Sequence, residues 1–207
     1  DITGPHPRSR NGYQYMLTVI DHFSKWAEAY PMRDHTAPTV AKMLVTQLFS
    51  RFRCPLQILS DQGPEFDSQL IHELCKNLRI DKIRTSAYKA STNGAVERFH
   101  RTLNSMLGKV VAEHQKDWDQ WLPIVLAAYR ASPHSATKMS PNKLMFGREL
   151  RMPVDVVLGS PVEEKEEAFV EDLSGRLEEA YAMARRHFGV AAERRKTSYD
   201  LRVKSQT

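Results

Sequence analysis

The sequence predicts an α/β (α+β) fold, a mixed sheet flanked by helices. Three observations predict it. The segments "YQYMLTVI" and "WAEAYPM" are strand-like and are joined by the turn "DHFSK", which makes an antiparallel hairpin. Two further short apolar segments, "LQILSD" and "DKIRTS", alternate with stretches of helical period. The order hairpin, helix, strand, helix, strand, helix, then more helices, places helices on a mixed sheet.

The elements follow in order. "DITGPHPRSRNG" is a Pro/Gly-rich opening that turns at Asn11-Gly12. In "TAPTVAKMLVTQLFSRF", Thr36 or Thr39 is the candidate cap, and Val40, Met43, Leu44, Leu48 and Phe52 recur at helical spacing. "LQILSD" ends on Asp61, "GPEF" turns the chain, and Ser68 or Asp67 starts a helix through Leu70, Ile71, Leu74 and Leu78. "AYKASTNG" reads as a loop. The helix behind it carries Val96, Phe99, Leu103, Met106 and Val110 on one face. Trp118 to Arg130 forms another helix, with Trp121, Leu122, Val125 and Tyr129 inward. Ser140-Pro141 is a cap with Pro at the first helical position, opening a short helix that ends near Gly147.

After "RMPVDVVLGSP" the composition changes. From Glu163 onward charge alternates with Phe169, Leu173, Leu177, Tyr181, Ala184 and Phe188 at helical period. Acid dominates the start of this stretch and base its end, which suits the helix dipole. Two readings stand, a solvated helical arm and a basic nucleic-acid grip, and the arm is the simpler. The expected division is therefore a core over residues 1–160 and a helical arm over 161–207.

The chain has 207 residues, 41% of them hydrophobic and 27% charged, enough to bury a core. The net charge of +5 permits a nucleic-acid partner and equally suits an ordinary solvated surface. Cys54 and Cys75 form no CxxC pair, so a reducing compartment is the simpler setting. No Cys/His cluster has zinc spacing, and neither a signal pattern nor a membrane-length apolar run is present.

Three acids have a positional logic. Asp1 precedes the turn "TGP". Asp61 closes an apolar strand, where open α/β sheets present ligands. Glu97 is read in the first turn of its helix, with His100 and Arg101 one turn on. Taken singly, each has a plain alternative: a chain end, a turn acid, a complement to the helix dipole. Taken together they suit hard divalent ions, which take carboxylate oxygens. Two such ions about 3.5–4 Å apart activate an attacking oxygen and stabilise a leaving one. No Ser–His–Asp or Cys–His constellation competes.

The words around these acids carry a resemblance. "SDQGPEF" and "NGAVERFHRTL" are similar to the two signature blocks of the retroviral and retrotransposon integrase catalytic core. Thirty-five residues, 62 to 96, separate Asp61 from Glu97, the spacing of that family's D,D(35)E pattern. "DITGP" resembles the block of its first acid and "VIDHFSKWAEAYP" the hairpin that follows. "AAYRASPHSATKMSPNKLMFGREL" and "SYDLRVK" resemble the tail of Ty3/gypsy-type elements.

The resemblance implies a ribonuclease H-like five-stranded sheet and a polynucleotidyl transferase using two Mg²⁺ or Mn²⁺ ions. It implies Asp1, Asp61 and Glu97 as catalytic residues and metal ligands. Asp21 is the rival for the first acid and is set aside because it follows the hairpin's first strand. Water first cleaves near the end of the element's DNA, and the freed 3′-hydroxyl then attacks a target phosphate in line. Arg101 is the expected DNA contact, with Asn104 a weaker grip and Gln62, Ser91 and Asn93 as polar neighbours of the substrate. The implied partners are element ends, target DNA and further copies of the chain; the implied location is the nucleus; no membrane or small-molecule cofactor is implied.

Two departures from the family pattern stand out. "YKAS" (Tyr88 to Ser91) replaces a Pro-containing word, which frees a backbone φ in the loop before the helix. The strand ahead of the first acid is largely missing, with Asp1 as its last residue. Residues 1–207 are therefore expected to fold poorly and be inactive alone, as part of a longer polyprotein. The alternative in another class is a domesticated or decayed module that binds DNA or protein without chemistry. A third, a nuclease that cuts without joining, shares the same residues.

Overall fold

The computed structural model describes residues 1–84, 90–111, 115–150 and 169–204. They divide into two compact units, one of Asp1–Ile20 with Ala27–Leu126, the other of Asp21–Trp26 with Ala127–Thr207. The expected boundary at residue 160 lies outside the described residues.

In the first unit β1 (Ile2–Thr3), β2 (Tyr15–Ile20) and β3 (Ala27–Met32) form an antiparallel ladder. Ile2 pairs with Leu17, and Tyr15 with Met32. Asp1 was expected to end its strand. Instead the chain runs on in strand form through Thr3, because Thr18 holds the Asp1 backbone from both sides: the Asp1 amino group donates to the Thr18 carbonyl at 3.0 Å and the Thr18 N–H returns a bond at 2.8 Å. β4 (Gln57–Ser60) and β5 (Asp81–Arg84) form a separate parallel ladder, Gln57 opposite Asp81 and Ser60 opposite Arg84. The expectation was one five-stranded sheet with its first strand largely missing; among the described residues there are five strands, the first of them Ile2–Thr3, hydrogen-bonded as three and two.

The period-two pleat of β2 divides its side chains between two layers. Tyr15, Leu17 and Val19 join a core with Tyr30, Val40, Leu44, Phe49, Phe66, Ile71 and Cys75. That core is roofed by a helical segment over residues 37–52, called α1, and by α2 (Gln69–Asn77). α1 is α-helical over Ala37–Met43, π-helical over Leu44–Phe49 and α-helical again over Ser50–Phe52. The π stretch advances the apolar face by one residue. The sequence spacing expects Leu48 and Phe52 inside; the structure buries Phe49 and leaves those two partly exposed. Thr46 Oγ1 donates to the Lys42 carbonyl and Ser50 Oγ to the Thr46 carbonyl, bonds of the kind that loosen the regular ladder. α2 starts as expected on Ser68, whose hydroxyl accepts the Ile71 N–H at 3.4 Å.

The even side chains of β2, Met16 and Thr18, are also buried, and α3 (Ala90–Val110) packs against this strand. Phe99, Leu103 and Leu107 are buried along one stripe of α3, four residues apart. Val110, expected on that stripe, is exposed, and Leu107 takes its place. The helix begins at Ala90, so Ala90 to Gly94 are helical rather than loop. A Gly near a helix start costs only about 1 kcal/mol, too little to stop an otherwise well-packed helix. α4 (Trp118–Ala131) starts in this unit, with Trp118, Leu122, Val125 and Leu126 buried.

The second unit contains the hairpin turn, the end of α4, α5 (Pro141–Phe146) and α6 (Phe169–Lys204). In the turn, Asp21 Oδ2 accepts from the Phe23 N–H, the Ser24 N–H and the Ser24 hydroxyl. That carboxylate is committed to a turn. α5 is capped by Ser140, which accepts the Lys143 N–H, and closed by Gly147 at φ +74°. Leu144, Ala180 and Ala184 form a small core with Phe23, Met139 and Tyr181 around it. The middle of α6 is thus packed, whereas a wholly solvated arm was the simpler expectation.

Candidate active site

The Asp1 carboxylate is held at the sheet, its Oδ1 accepting the Ile2 N–H at 2.7 Å. Asp61 follows the last residue of β4, and its Oδ1 accepts the Gly63 N–H at 3.2 Å. The turn that follows is fixed from the same glycine: its carbonyl accepts both the Phe66 and Asp67 N–H groups at 2.9 Å, and Phe66 anchors the turn in the core. Gly63 has no side chain for a reason visible here. A Cβ on it would stand 3.2 Å from Asp61 Oδ1 and 3.1 Å from Glu65 Oε1, in the gap between the two carboxylates.

Asp61 and Glu65 are close enough to the Asp1 amino group to act on it electrostatically. Burial lowers that amino group to about 6, and the two carboxylates oppose the shift. Glu65, across Gly63 from Asp61, is an acid that the sequence reading passed over. Its signal was within the quoted word "SDQGPEF", four residues beyond Asp61.

Glu97 is exposed on α3, two turns in rather than in the first turn. Its helix-dipole reading weakens accordingly, since that effect fades beyond the first turn. Among the described residues no three His, Cys, Asp or Glu side chains stand together as a metal-holding group, neither Asp1, Asp61 and Glu97 nor Asp1, Asp61 and Glu65. One turn on, His100 makes the link that Glu97 does not. Its Nε2 lies 2.5 Å from Thr18 Oγ1 and its Nδ1 3.8 Å from Asp1 Oδ2. Burial first, then the Asp1 amino group and His6, lower the His100 imidazole to about 4.

Arg101 and Asn104 are exposed on the same helix, and Asn104 also lines a cavity of about 480 Å³ with His6, Met16, Leu107 and Trp118. Gln62 is exposed beside Asp61. Ser91 and Asn93 lie in the first turns of α3, and their side chains, like residues 85–89, are outside the described set.

The donor chemistry bears on a divalent ion. Asp1, Asp61 and Glu65 offer only carboxylate oxygens, the set that hard cations such as Mg²⁺ and Mn²⁺ take. The side-chain-free gap at Gly63 keeps two of these carboxylates facing one space. The donor chemistry suits such an ion, while among the described residues no three of these acids are gathered into a metal-holding group.

Strands with flanking helices, in the order seen here, form a ribonuclease H-like core. A family model described as "Integrase core domain" matches residues 1–90. The "Retrovirus-related Pol polyprotein from transposon 412" of Drosophila melanogaster is 32% identical over 206 residues, covering 99% of this chain and 17% of that protein. The "Gag-Pol polyprotein" of avian reticuloendotheliosis virus is 36% identical over 146 residues, 70% of this chain and 12% of its own length. Among solved structures, the catalytic core domain of BIV integrase superposes with a TM-score of 0.54 at 26% identity, over 69% of this chain and 88% of that one. The HTLV-2 integrase catalytic core domain, in complex with magnesium in a trimeric form, shares the fold at a TM-score of 0.52 and 21% identity, over 68% and 89%. The chain belongs to the integrase core family of retroviral and retrotransposon Pol polyproteins.

Proposed function

We propose that this chain is the catalytic core of a retrotransposon integrase of Ty3/gypsy type, cleaving element DNA near its 3′ end and joining it to target DNA. The observation that carries this is the fixing of two acids by backbone bonds at strand ends, Asp1 beside β1 and Asp61 after β4, with α3 tied to Asp1 through His100. The transposon polyprotein matches along nearly the whole chain and the retroviral one along less of it, which supports the retrotransposon assignment.

Asp1 and Asp61 are the proposed ligands of two Mg²⁺ or Mn²⁺ ions, with Glu97 completing the set. Such ions, when bound, supply positive charge at the scissile phosphate and make a water more acidic. The chain's own residues orient. β1 and β4 fix two carboxylates by backbone bonds and a turn, while Arg101 and Asn104, one and two turns beyond Glu97, face the DNA backbone. Gln62, Ser91 and Asn93 are the proposed polar contacts near the cleaved end. Residues 1–160 act as the core and 161–207 as the arm towards a further DNA-binding domain. The partners are element ends, target DNA and further copies of the chain, in the nucleus.

The second reading, a module that binds DNA or protein without chemistry, draws on the exposed position of Glu97 and on the lack, among the described residues, of a gathered metal-holding group. A strand-transfer assay with Mg²⁺ decides, run on the chain with the upstream strand of its longer parent restored and comparing it with Asp61→Asn and Glu97→Gln. Joining by the parent chain, abolished in both variants, is the expected result. Equal joining by all three refutes the ligand assignment, and DNA binding without joining by the parent favours the module.

A further inference from the structure

Away from the acids, the turn between β1 and β2 forms a rigid platform. Ser9 is buried and accepts the Tyr13 N–H on its hydroxyl at 3.1 Å; Ser9 and Tyr13 also exchange a backbone bond at 2.9 Å, and the Gly12 N–H returns to the Ser9 carbonyl at 2.9 Å. Two more bonds tie the turn to the start of α4. The Arg10 N–H donates to the Lys116 carbonyl at 2.9 Å, and Asn11 Nδ2 to the buried Asp119 at 2.7 Å.

Two guanidinium groups converge on this platform. A Cβ on Gly12, at φ +84°, would stand 3.8 Å from Arg33 Nε and 3.9 Å from Arg8 Nε and Nη2. Arg33 also lies 5.9 Å from the centroid of the Tyr13 ring. Both arginines are exposed, and among the described residues neither has an acidic partner. Two acids tied to this region have other partners: Asp34, next in sequence to Arg33, bonds Thr36 and Thr39, and Asp119 Oδ2 accepts from Asn11. Two like charges brought together on a fixed turn repel each other unless an anion joins them. A planar guanidinium fork suits phosphate oxygens in particular.

We infer that Arg8 and Arg33, across the glycine at position 12, form a binding site for the phosphodiester backbone of DNA, additional to the contacts around Glu97. The inference rests on the DNA reading above. It gives the chain a second hold on duplex, carried by the β1–β2 turn and the end of β3, with no base contact and hence no sequence preference.

The test is the salt dependence of binding to a 30-base-pair duplex of arbitrary sequence, followed by fluorescence anisotropy with the full chain. Each neutralised phosphate contributes about 0.9 to the slope of log affinity against log salt. Arg8→Ala with Arg33→Ala is expected to flatten that slope by about 1 to 2. The unfolding midpoint should stay at the parent value, since both side chains are exposed. Arg8→Lys with Arg33→Lys is expected to restore the slope, because the charge returns. An unchanged slope in the alanine pair overturns the site and leaves the integrase reading standing, as does a slope that lysine fails to restore. A parent chain that binds no duplex at low salt overturns both.

Discussion

His100 spans two strands: its Nε2 meets Thr18 Oγ1 on β2 at 2.5 Å while its Nδ1 stands 3.8 Å from Asp1 Oδ2. The imidazole links α3 to the first acid, and Glu97 lies one turn away on the same helix. Orienting groups behind metal ligands typically change affinity or activity by about 10–100-fold when removed. His100→Ala is therefore expected to lower the strand-transfer rate about tenfold and move the Mg²⁺ midpoint to higher concentration. His100→Asn, which keeps a polar group of shorter reach, should recover part of the loss. A metal titration curve identical to the parent's in the alanine variant would remove the positioning role.

The same residue predicts a pH effect on stability. Burial is the main cause that lowers His100 to about 4, from 6.5, and burial also lowers His6. A histidine whose folded pKa is depressed favours the unfolded chain as soon as that chain takes up its proton. The contribution is complete above pH 6.5 and is lost as pH falls towards about 4. Urea midpoints should decline across this window and decline less in His100→Gln. Asp34 and Asp67, whose carboxyls are held low chiefly by hydrogen bonds from Thr39 and from His72, act in a lower range, below the ordinary carboxylate value of 3.8. Equal declines for parent and variant between pH 6.5 and 4 would show that the imidazole is not responsible.

What was readable from sequence was mostly local. Ser68 and Ser140 were readable as caps because the hydroxyl and the N–H it accepts lie three residues apart. The β2–β3 hairpin was readable because its alternation and its turn are adjacent. The π stretch of α1 was not, since an apolar face that shifts from Leu44 to Phe49 has the same composition as one that shifts to Leu48. The packing of α6 was hidden for a different reason: it depends on Phe23 in a turn more than 150 residues earlier. At the site, the strand-end position of Asp61 was readable from the apolar run before it. The role of Thr18 and His100 depends on register, which residue identity alone does not supply.

Ser140 offers a stability prediction in the second unit. Its hydroxyl accepts the Lys143 N–H at 3.0 Å and lies 2.7 Å from both oxygens of Glu149. The side chain thus caps α5 and also gives Glu149 a donor, in a buried position. Ser140→Ala removes both and should cost about 1–2 kcal/mol. Ser140→Thr keeps the hydroxyl and should cost less. Chemical denaturation of the two variants, side by side, checks the order; equal losses would point to the added or missing methyl rather than to the bonds.

Gly147 predicts a larger loss. It closes α5 at φ +74°, where a side chain is strained, and a Cβ there would come within 2.5 Å of Leu173 Cδ1 and 2.9 Å of Leu177 Cγ on α6. Gly147→Ala therefore combines backbone strain with a clash and should destabilise by more than about 1 kcal/mol. Protection of α6 amides against hydrogen exchange should fall first. Unchanged exchange there would mean that α6 moves aside at no cost.

Gly63→Ala tests the acidic site without removing any acid. The added methyl would stand 3.2 Å from Asp61 Oδ1 and 3.1 Å from Glu65 Oε1, tighter than ordinary contact. The two carboxylates must then part, or one must turn away from the shared space. The backbone at this position needs no left-handed conformation, so the cost of folding stays small. Calorimetric titration with Mn²⁺ should show affinity lowered about tenfold, the size of effect seen when groups that orient metal ligands are disturbed. Asp61→Asn should lower it further by removing a charge, and Glu65→Gln separates the contribution of the second carboxylate. If Gly63→Ala binds Mn²⁺ as the parent does while Asp61→Asn does not, the ion lies on the Asp1 side of Asp61. The space between Asp61 and Glu65 would then be no part of the metal site.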